Sequence, residues 1–296
     1  MKKIIVLGGG AWGNALAQVS ARAGHEVQVW SRANSEFNLS CDAAIVAVPA
    51  QAVRAVLSVL PKFPVLISAA KGIERDTGLT MAEISKDVSP QSEFFALSGP
   101  SFAADVSAGL PTAVTLAGAS IERSAHWAKI LSLPHFRIYA SDDVMGVEIG
   151  GAMKNVLAIA CGISDAQALG ESARSSLITR GFAELVRYGA KLGAKPETLM
   201  GLSGLGDVLL TCASLKSRNY SFGFNIGKGM SAGEAMAQSS GVVEGAFTAA
   251  IAAKLAQLHK VEMPIVHAVA AIIDGRSNPR DEIARLLSRP LGAELK

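Results

Sequence analysis

The chain opens MKKIIVLGGGAWG, and this stretch constrains its fold more than any other. Ile4–Leu7 is a short, β-branched apolar run of the kind that forms a buried parallel strand. It leads straight into Gly8-Gly9-Gly10-Ala11-Trp12-Gly13, a G-x-G-x-x-G, and Asn14–Ala23 continues as an alanine-rich helix. Strand, glycine turn and helix N-terminus in that order form a dinucleotide fingerprint. Gly8 permits the tight turn, Gly10 lets the backbone approach a pyrophosphate, and Gly13 lets helix and strand pack closely. The helix N-terminus adds free N–H groups and the positive end of its dipole.

The first half keeps this alternation. Glu26–Trp30, Ala43–Val48, Val65–Ser68, Phe94–Leu97 and Thr112–Leu116 read as strands, with Arg137–Tyr139 as a last one. Gln51–Leu60 and Leu79–Lys86 read as intervening helices. The βαβ rhythm predicts a parallel, doubly wound sheet. From Asp142 the pattern turns helical: Asp142–Ile163, Ser172–Leu192, Pro196–Met200, Gly233–Gln238, Ala246–Leu258, Pro264–Ile273 and Asp281–Leu287. The expected class is therefore α/β: an N-terminal Rossmann-type doubly wound sheet over 1–141 that binds a dinucleotide, plus an all-helical C-terminal domain over 142–296 that binds substrate. Ser141 or Asp142 is the expected N-cap at the junction, and the cleft between domains is the expected substrate site.

Bulk properties narrow the alternatives. With 296 residues, 50% hydrophobic and 18% charged, the chain can build two cores. The net charge of +3 is spread along the sequence without a basic run, which argues against a nucleic-acid partner. Cys41, Cys161 and Cys212 are too scattered for a disulfide framework or a zinc site, so a reduced, cytoplasmic setting and no metal are expected. The N-terminus reads as a strand rather than a signal peptide. The longest charge-free stretch, Val106–Ile121, is broken by glycine and proline, so no membrane span is expected.

An NAD-preferring unit usually ends its second strand on Asp or Glu, about 20 residues past the glycines. Here that strand ends Val29-Trp30-Ser31-Arg32, and Glu26 lies at the wrong end. Arg32 suits a 2′-phosphate, so NADP(H) is favoured and NAD(H) stays open; an ordinary exposed loop arginine is the competing reading.

Three patterns in the second half point past cofactor binding. In Gly150-Gly151-Ala152-Met153-Lys154-Asn155, two glycines inside a helix cost roughly 1 kcal/mol each relative to alanine. Something must therefore approach that face, either a ligand or another helix. Lys154 follows one turn on, and an ammonium in a desolvated cleft can protonate a carbonyl oxygen and stabilise the alkoxide. A solvated helix lysine is the plainer alternative. In Gly201–Leu210, Asp207 is the only charge, and a buried carboxylate must find a cation or donors. Lys154 is the candidate partner; capping a helix that begins at Val208 is the other role open to Asp207. Ser217-Arg218-Asn219 offers a guanidinium fork and short donors for phosphate oxygens, yet taken alone reads as a polar loop. On the sheet side, Lys71 follows the fourth strand and Gly99 and Ser101 follow the fifth, at carboxyl ends where ligands bind.

Taken together, GGGAWG, AAKGIE, SGPSFA, GGAMKN, LITRG, GLSGLGDVLLTC, SRNYSFG, VVEG and VEMPI resemble the bacterial-type NAD(P)-dependent glycerol-3-phosphate dehydrogenases, in the family's order over essentially the whole chain. The resemblance implies reversible reduction of dihydroxyacetone phosphate to sn-glycerol 3-phosphate, a phosphorylated-triose reaction feeding phospholipid synthesis, and suggests a homodimer. By motif position it implies Lys154 as the catalytic lysine, with Asp207 beside it. Lys71, Gly99, Ser101, Ser217, Arg218 and Asn219 match substrate contacts. Gly8, Gly10, Gly13, Ala11, Trp12, Arg32, Lys71, Ala103, Arg218, Val242 and Glu244 match cofactor contacts.

Two departures stand out. Only Ala33–Asp42 remains where the family usually carries a further helix and short strand, beside the adenosine pocket. The stretch Ser164–Arg174 lacks the family's extra glycines and Asn. A related two-domain dehydrogenase acting on a hydroxy acid or ketopantoate, or a catalytically silent NADPH sensor, are the rival readings; SRN paired with GGAMKN argues against the first, and Lys154, Asp207 and Arg218 together argue against the second.

Overall fold

The computed structural model describes residues 1–31 and 40–292. Seven strands form one sheet: β1 (Lys3–Leu7), β2 (Glu26–Trp30), β3 (Ala43–Val46), β4 (Val65–Ser68), β5 (Glu93–Ser98), β6 (Thr112–Gly118) and β7 (Phe136–Ser141). Their order across the sheet is β2-β1-β3-β4-β5-β6-β7. β3 and β4 are buried at every residue, and β1 at all but its first, as unbroken apolar runs covered on both faces require. The helices of this half are α1 (Ala11–Arg22), α2 (Val53–Val59), α3 (Met81–Val88), α4 (Ala103–Ser107) and α5 (Ile121–Leu131). Strand order reverses between β1 and β3, so the crevice at their carboxyl ends is where a ligand enters such a sheet.

The sheet departs from the all-parallel expectation at one place. β5 and β6 run antiparallel, with Phe95 opposite Gly118 and Ser98 opposite Thr115. The link between them carries only the five-residue α4, so no crossover helix takes the chain back across the sheet.

The second half comprises α6 (Val144–Ala166), α7 (Glu171–Lys191), α8 (Pro196–Leu199), a π-helical turn at Leu202–Gly206, α9 (Asp207–Cys212), α10 (Arg218–Gly227), α11 (Ala232–Ala237), α12 (Glu244–Leu258), α13 (Pro264–Ile273) and α14 (Pro279–Leu287). α6 is the axis. It is apolar nearly all round because α7, α9, α10 and α12 surround it. By length and hydropathy α6 is the one described helix able to cross a membrane, yet 83% of that window is buried inside the protein. Its N-cap is Asp143, not Ser141 or Asp142: the Asp143 carboxylate accepts from Gly146 N at 2.8 Å and from Lys195 N at 2.8 Å. Val147 of α6 packs on Ala96 and Ala117, so sheet and bundle share an apolar seam.

Reciprocal glycines let α6 and α10 touch backbone to backbone. A β-carbon on Gly162 would lie 2.1 Å from the Tyr220 carbonyl oxygen, and one on Gly223 would lie 2.1 Å from that of Ile159. Both obstacles are backbone and cannot rotate away. Gly223→Ala is therefore expected to cost about 1–3 kcal/mol by overpacking, seen as a lower urea midpoint. An unchanged midpoint would mean that the two helices have slack.

Candidate active site

The glycine pair of α6 opens that helix to two neighbours. A β-carbon on Gly150 would sit 2.5 Å from the Ser203 carbonyl oxygen, and one on Gly151 would sit 2.6 Å from Ser98 Oγ. The π-helical turn and the end of β5 thus press against α6 just before Lys154. The same turn runs into α9 and delivers Asp207. Lys154 Nζ donates to Asp207 Oδ1 at 2.5 Å and to Thr211 Oγ1 at 3.2 Å. Lys71, from the loop after β4, donates to Asp207 Oδ2 at 2.7 Å and to the Gly99 carbonyl at 2.9 Å.

One carboxylate therefore sits between two ammonium groups, one from the sheet and one from the bundle. Asp207 is fully buried and Lys154 is 8% exposed. Burial lowers the Lys154 pKa from 10.5 to about 8; the Asp207 charge opposes that fall, and the Lys71 charge adds to it. Burial alone would raise the Asp207 carboxyl, but the charges of Lys154 and Lys71 outweigh it and hold the group below the usual range. The helix-cap role for Asp207 does not hold. Gly206 and Asp207 are already helical, and the carboxylate goes to the lysines.

Behind the lysines runs a chain of amides. Asn155 Nδ2 donates to the Lys71 carbonyl at 3.3 Å, Asn219 Nδ2 to Asn155 Oδ1 at 2.8 Å, and Gly245 N to Asn219 Oδ1 at 2.8 Å. Next to Gly245, Glu244 reaches back to the sheet, where Oε1 accepts from Ala50 N at 3.0 Å. Burial raises the Glu244 pKa.

Ser217-Arg218-Asn219 is not a loop. Ser217 caps α10 by accepting from Tyr220 N at 3.3 Å, and Arg218 and Asn219 form its first turn. Asn219 turns inward to the amide chain, whereas Arg218 stays exposed. Its Nη1 lies 2.4 Å from where a Gly241 β-carbon would be, so the missing side chain makes room for the guanidinium. On the sheet side, Gly99 has φ +145°, and Ser101 Oγ donates to its carbonyl at 2.9 Å. Ala11 opens α1, Ala103 opens α4 and Val242 lies just before α12; having no polar side chain, each offers a ligand only backbone groups and apolar contact. Arg32 lies outside the described residues. Thr211 is the site residue that sequence reasoning missed. It stands four residues after Asp207, one helical turn along the same face, and that spacing was the available signal.

The glycine turn fits a dinucleotide. Gly8 has φ +123°, and a β-carbon there would meet the Ala47 carbonyl at 2.7 Å; one on Gly13 would meet the Gly8 carbonyl at 1.9 Å. A β-carbon on Gly10 would meet nothing within 4 Å, so that backbone is open to an incoming phosphate. α1 starts without an acid or a side-chain cap, which leaves its N-terminal N–H groups for an anion. Trp12 Nε1 and Glu244 Oε2 are buried without a hydrogen-bond partner among the described residues.

A glycine turn with open backbone on the sheet and a buried ammonium on the helical side are what a two-domain NAD(P)-dependent dehydrogenase needs, and that is the class defined here. More specifically, the chain belongs to the NAD-dependent glycerol-3-phosphate dehydrogenase family, whose C-terminal profile matches residues 143–284 and whose N-terminal profile matches residues 3–39 and 36–124. A glycerol-3-phosphate dehydrogenase (NAD(P)+) of Erythrobacter litoralis is 46% identical over 323 aligned positions, covering 99% of this chain and 98% of that protein. Its counterpart in Methylobacterium radiotolerans is 48% identical over 327, covering 98% of each. The crystal structure of glycerol-3-phosphate dehydrogenase from Coxiella burnetii superposes with a TM-score of 0.89 at 35% identity, covering 97% of this chain and 99% of that one. Both alignments run longer than 296 residues, and the N-terminal match divides at 36–39, in the segment after β2.

Proposed function

We propose that this chain catalyses the reversible NAD(P)H-dependent reduction of dihydroxyacetone phosphate to sn-glycerol 3-phosphate and supplies glycerophospholipid synthesis in the cytoplasm, as a homodimer. Residues 1–141 form the dinucleotide-binding unit, and 142–296 the substrate-binding and catalytic unit. The observation that carries this reading is the buried Lys154–Asp207–Lys71 cluster, built jointly by sheet and bundle.

Lys154 gives a proton to the ketone oxygen in reduction and takes it back in oxidation, a task for which its pKa of about 8 suits it near neutral pH. Asp207 fixes the position of that ammonium and stabilises its charged form. Lys71, Gly99 and Ser101 hold the triose from the sheet side, while Ser217, Arg218 and Asn219 hold it from α10. The exposed guanidinium of Arg218 takes the phosphate, because its planar fork matches two phosphate oxygens. Gly8, Gly10, Ala11, Trp12 and Gly13 present backbone and helix dipole to the cofactor pyrophosphate. Ala103, Arg218, Val242, Glu244 and Lys71 line the rest of the cofactor path. A bound nicotinamide supplies or accepts the hydride.

NADP(H) is the favoured cofactor. β2 ends at Trp30 and the sequence continues Ser31-Arg32, so the strand end itself carries no acid to bind a ribose hydroxyl, and the basic residue that follows suits a 2′-phosphate.

NADPH oxidation with dihydroxyacetone phosphate tests the reading directly, and a dead assay with folded protein would refute it. In that assay Arg218→Ala is expected to raise KM for the triose phosphate about 10- to 100-fold, the equivalent of a lost charged hydrogen-bond pair. An unchanged KM would remove Arg218 from phosphate binding.

A further inference from the structure

A cavity of about 540 Å³ opens between α12, α13 and α14 and shares no residue with the cluster around Lys154. Its volume falls within the range of about 300–1,000 Å³ common for small-molecule sites. The walls are of two kinds. Ala253, Met263, Ala268 and Ala270 are buried and apolar. Lys254, Arg276, Arg285 and Arg289 supply cationic groups.

Three carboxylates also line the cavity, Glu262, Asp274 and Glu282, so cations exceed anions by one. Each carboxylate is already engaged: Asp274 by Arg276 Nη2 at 2.8 Å, Glu282 by Arg285 Nη1 at 2.5 Å, and Glu262 by Arg289 Nη2. An arginine has five N–H donors, and these pairs leave donors over on each guanidinium. Exposed pairs of this kind are held weakly, so an incoming anion can share them. His267 also lines the cavity, and its pKa is lowered by burial and by the nearby Arg276 charge. A bare inorganic anion would use the cationic walls and leave the apolar ones uncovered, whereas a neutral apolar molecule would do the reverse.

We propose that this cavity binds a small amphipathic organic anion, with its carboxylate or phosphate head on Lys254 and the guanidiniums and its apolar body on the alanine- and methionine-lined wall. α12 also begins at Glu244, so the occupant rests on a helix that reaches the proposed reaction cleft. The site does not depend on which reaction the cleft performs.

The test follows the imidazole signals of ¹⁵N-histidine-labelled protein, which has five histidines, during titration with decanoate, decyl phosphate and decanol. The two anions are expected to shift the His267 signals saturably and to raise its titration midpoint, because a bound negative charge favours the imidazolium. Decanol is expected to leave the midpoint in place. A larger effect from decyl phosphate would identify a phosphate ester as the preferred head, and a larger one from decanoate a fatty acid. Lys254→Ala, an exposed change, should weaken the anions tenfold or more with the urea midpoint unchanged, and Ala253→Trp should abolish binding by filling the cavity. The proposal is overturned by an equal midpoint shift with decanol, by no saturable His267 response to either anion, or by full affinity in Lys254→Ala.

Discussion

Lys154→Ala is expected to lower kcat for triose phosphate reduction about 10²- to 10⁴-fold, the usual worth of a positioned general acid. NADPH affinity should barely change. The glycine turn at Gly8–Gly13, proposed to hold the cofactor pyrophosphate, joins β1 to α1, and no hydrogen bond joins it to Lys154 among the described residues. The large effect follows from burial. Lys154 is 8% exposed and its partner Asp207 is fully buried, so bulk water does not stand ready to replace the lost proton donor. Lys154→Arg should not restore the rate, because a guanidinium holds its proton too tightly to give it to the ketone oxygen in reduction, and for the same reason cannot serve as the base in oxidation. Stopped-flow NADPH oxidation at saturating substrate, run beside NADPH fluorescence titration, separates the two quantities. Equal turnover in wild type and Lys154→Ala would take Lys154 out of the mechanism, and loss of NADPH binding would point to a damaged fold instead.

How much of this was legible in the sequence depended on whether a feature is local. The strands were, because a central parallel strand is an unbroken apolar run closed by glycine, proline or aspartate, as in Val65–Ser68. The glycine pair of α6 was also legible as a close approach, since two interior helix glycines carry a cost that only a neighbour can explain; the neighbours are Ser203 and Ser98. The antiparallel turn at β5–β6 was not, because strand direction depends on where the connection returns rather than on the residues of the strand. The start of α10 was hidden for a different reason. Ser, Arg and Asn make the same polar signature in a loop and in a capped first turn. The Lys71–Asp207 bond joins residues 136 positions apart, and nothing local to either marks the other. Arg32, on which the cofactor preference leaned most, falls among the residues that the structure does not describe.

Asp207→Asn should change the pH dependence as well as the rate. The substitution keeps the shape of the side chain and removes the charge that two lysines share. The wild-type reduction rate is expected to fall as pH rises through about 8, where Lys154 loses its proton, and the oxidation rate to rise over the same range. Without the carboxylate, burial and the Lys71 charge lose the main influence that opposes them at Lys154, so both midpoints move to lower pH. Above the wild-type midpoint, each unit of movement lowers the reduction rate about tenfold. Stability shifts in the same sense. In the wild type Lys154 binds fewer protons folded than unfolded between about 8 and 10.5, so stability rises with pH across that window. In Asp207→Asn the window extends further toward acid. The urea-unfolding penalty should therefore be largest below pH 8, about 3–5 kcal/mol for a buried charge without its partner, and should shrink as the lysine becomes neutral. If Asp207 only braced the fold, both rates would drop together with their midpoints unmoved, whereas displaced midpoints require the carboxylate to act on the proton that Lys154 carries.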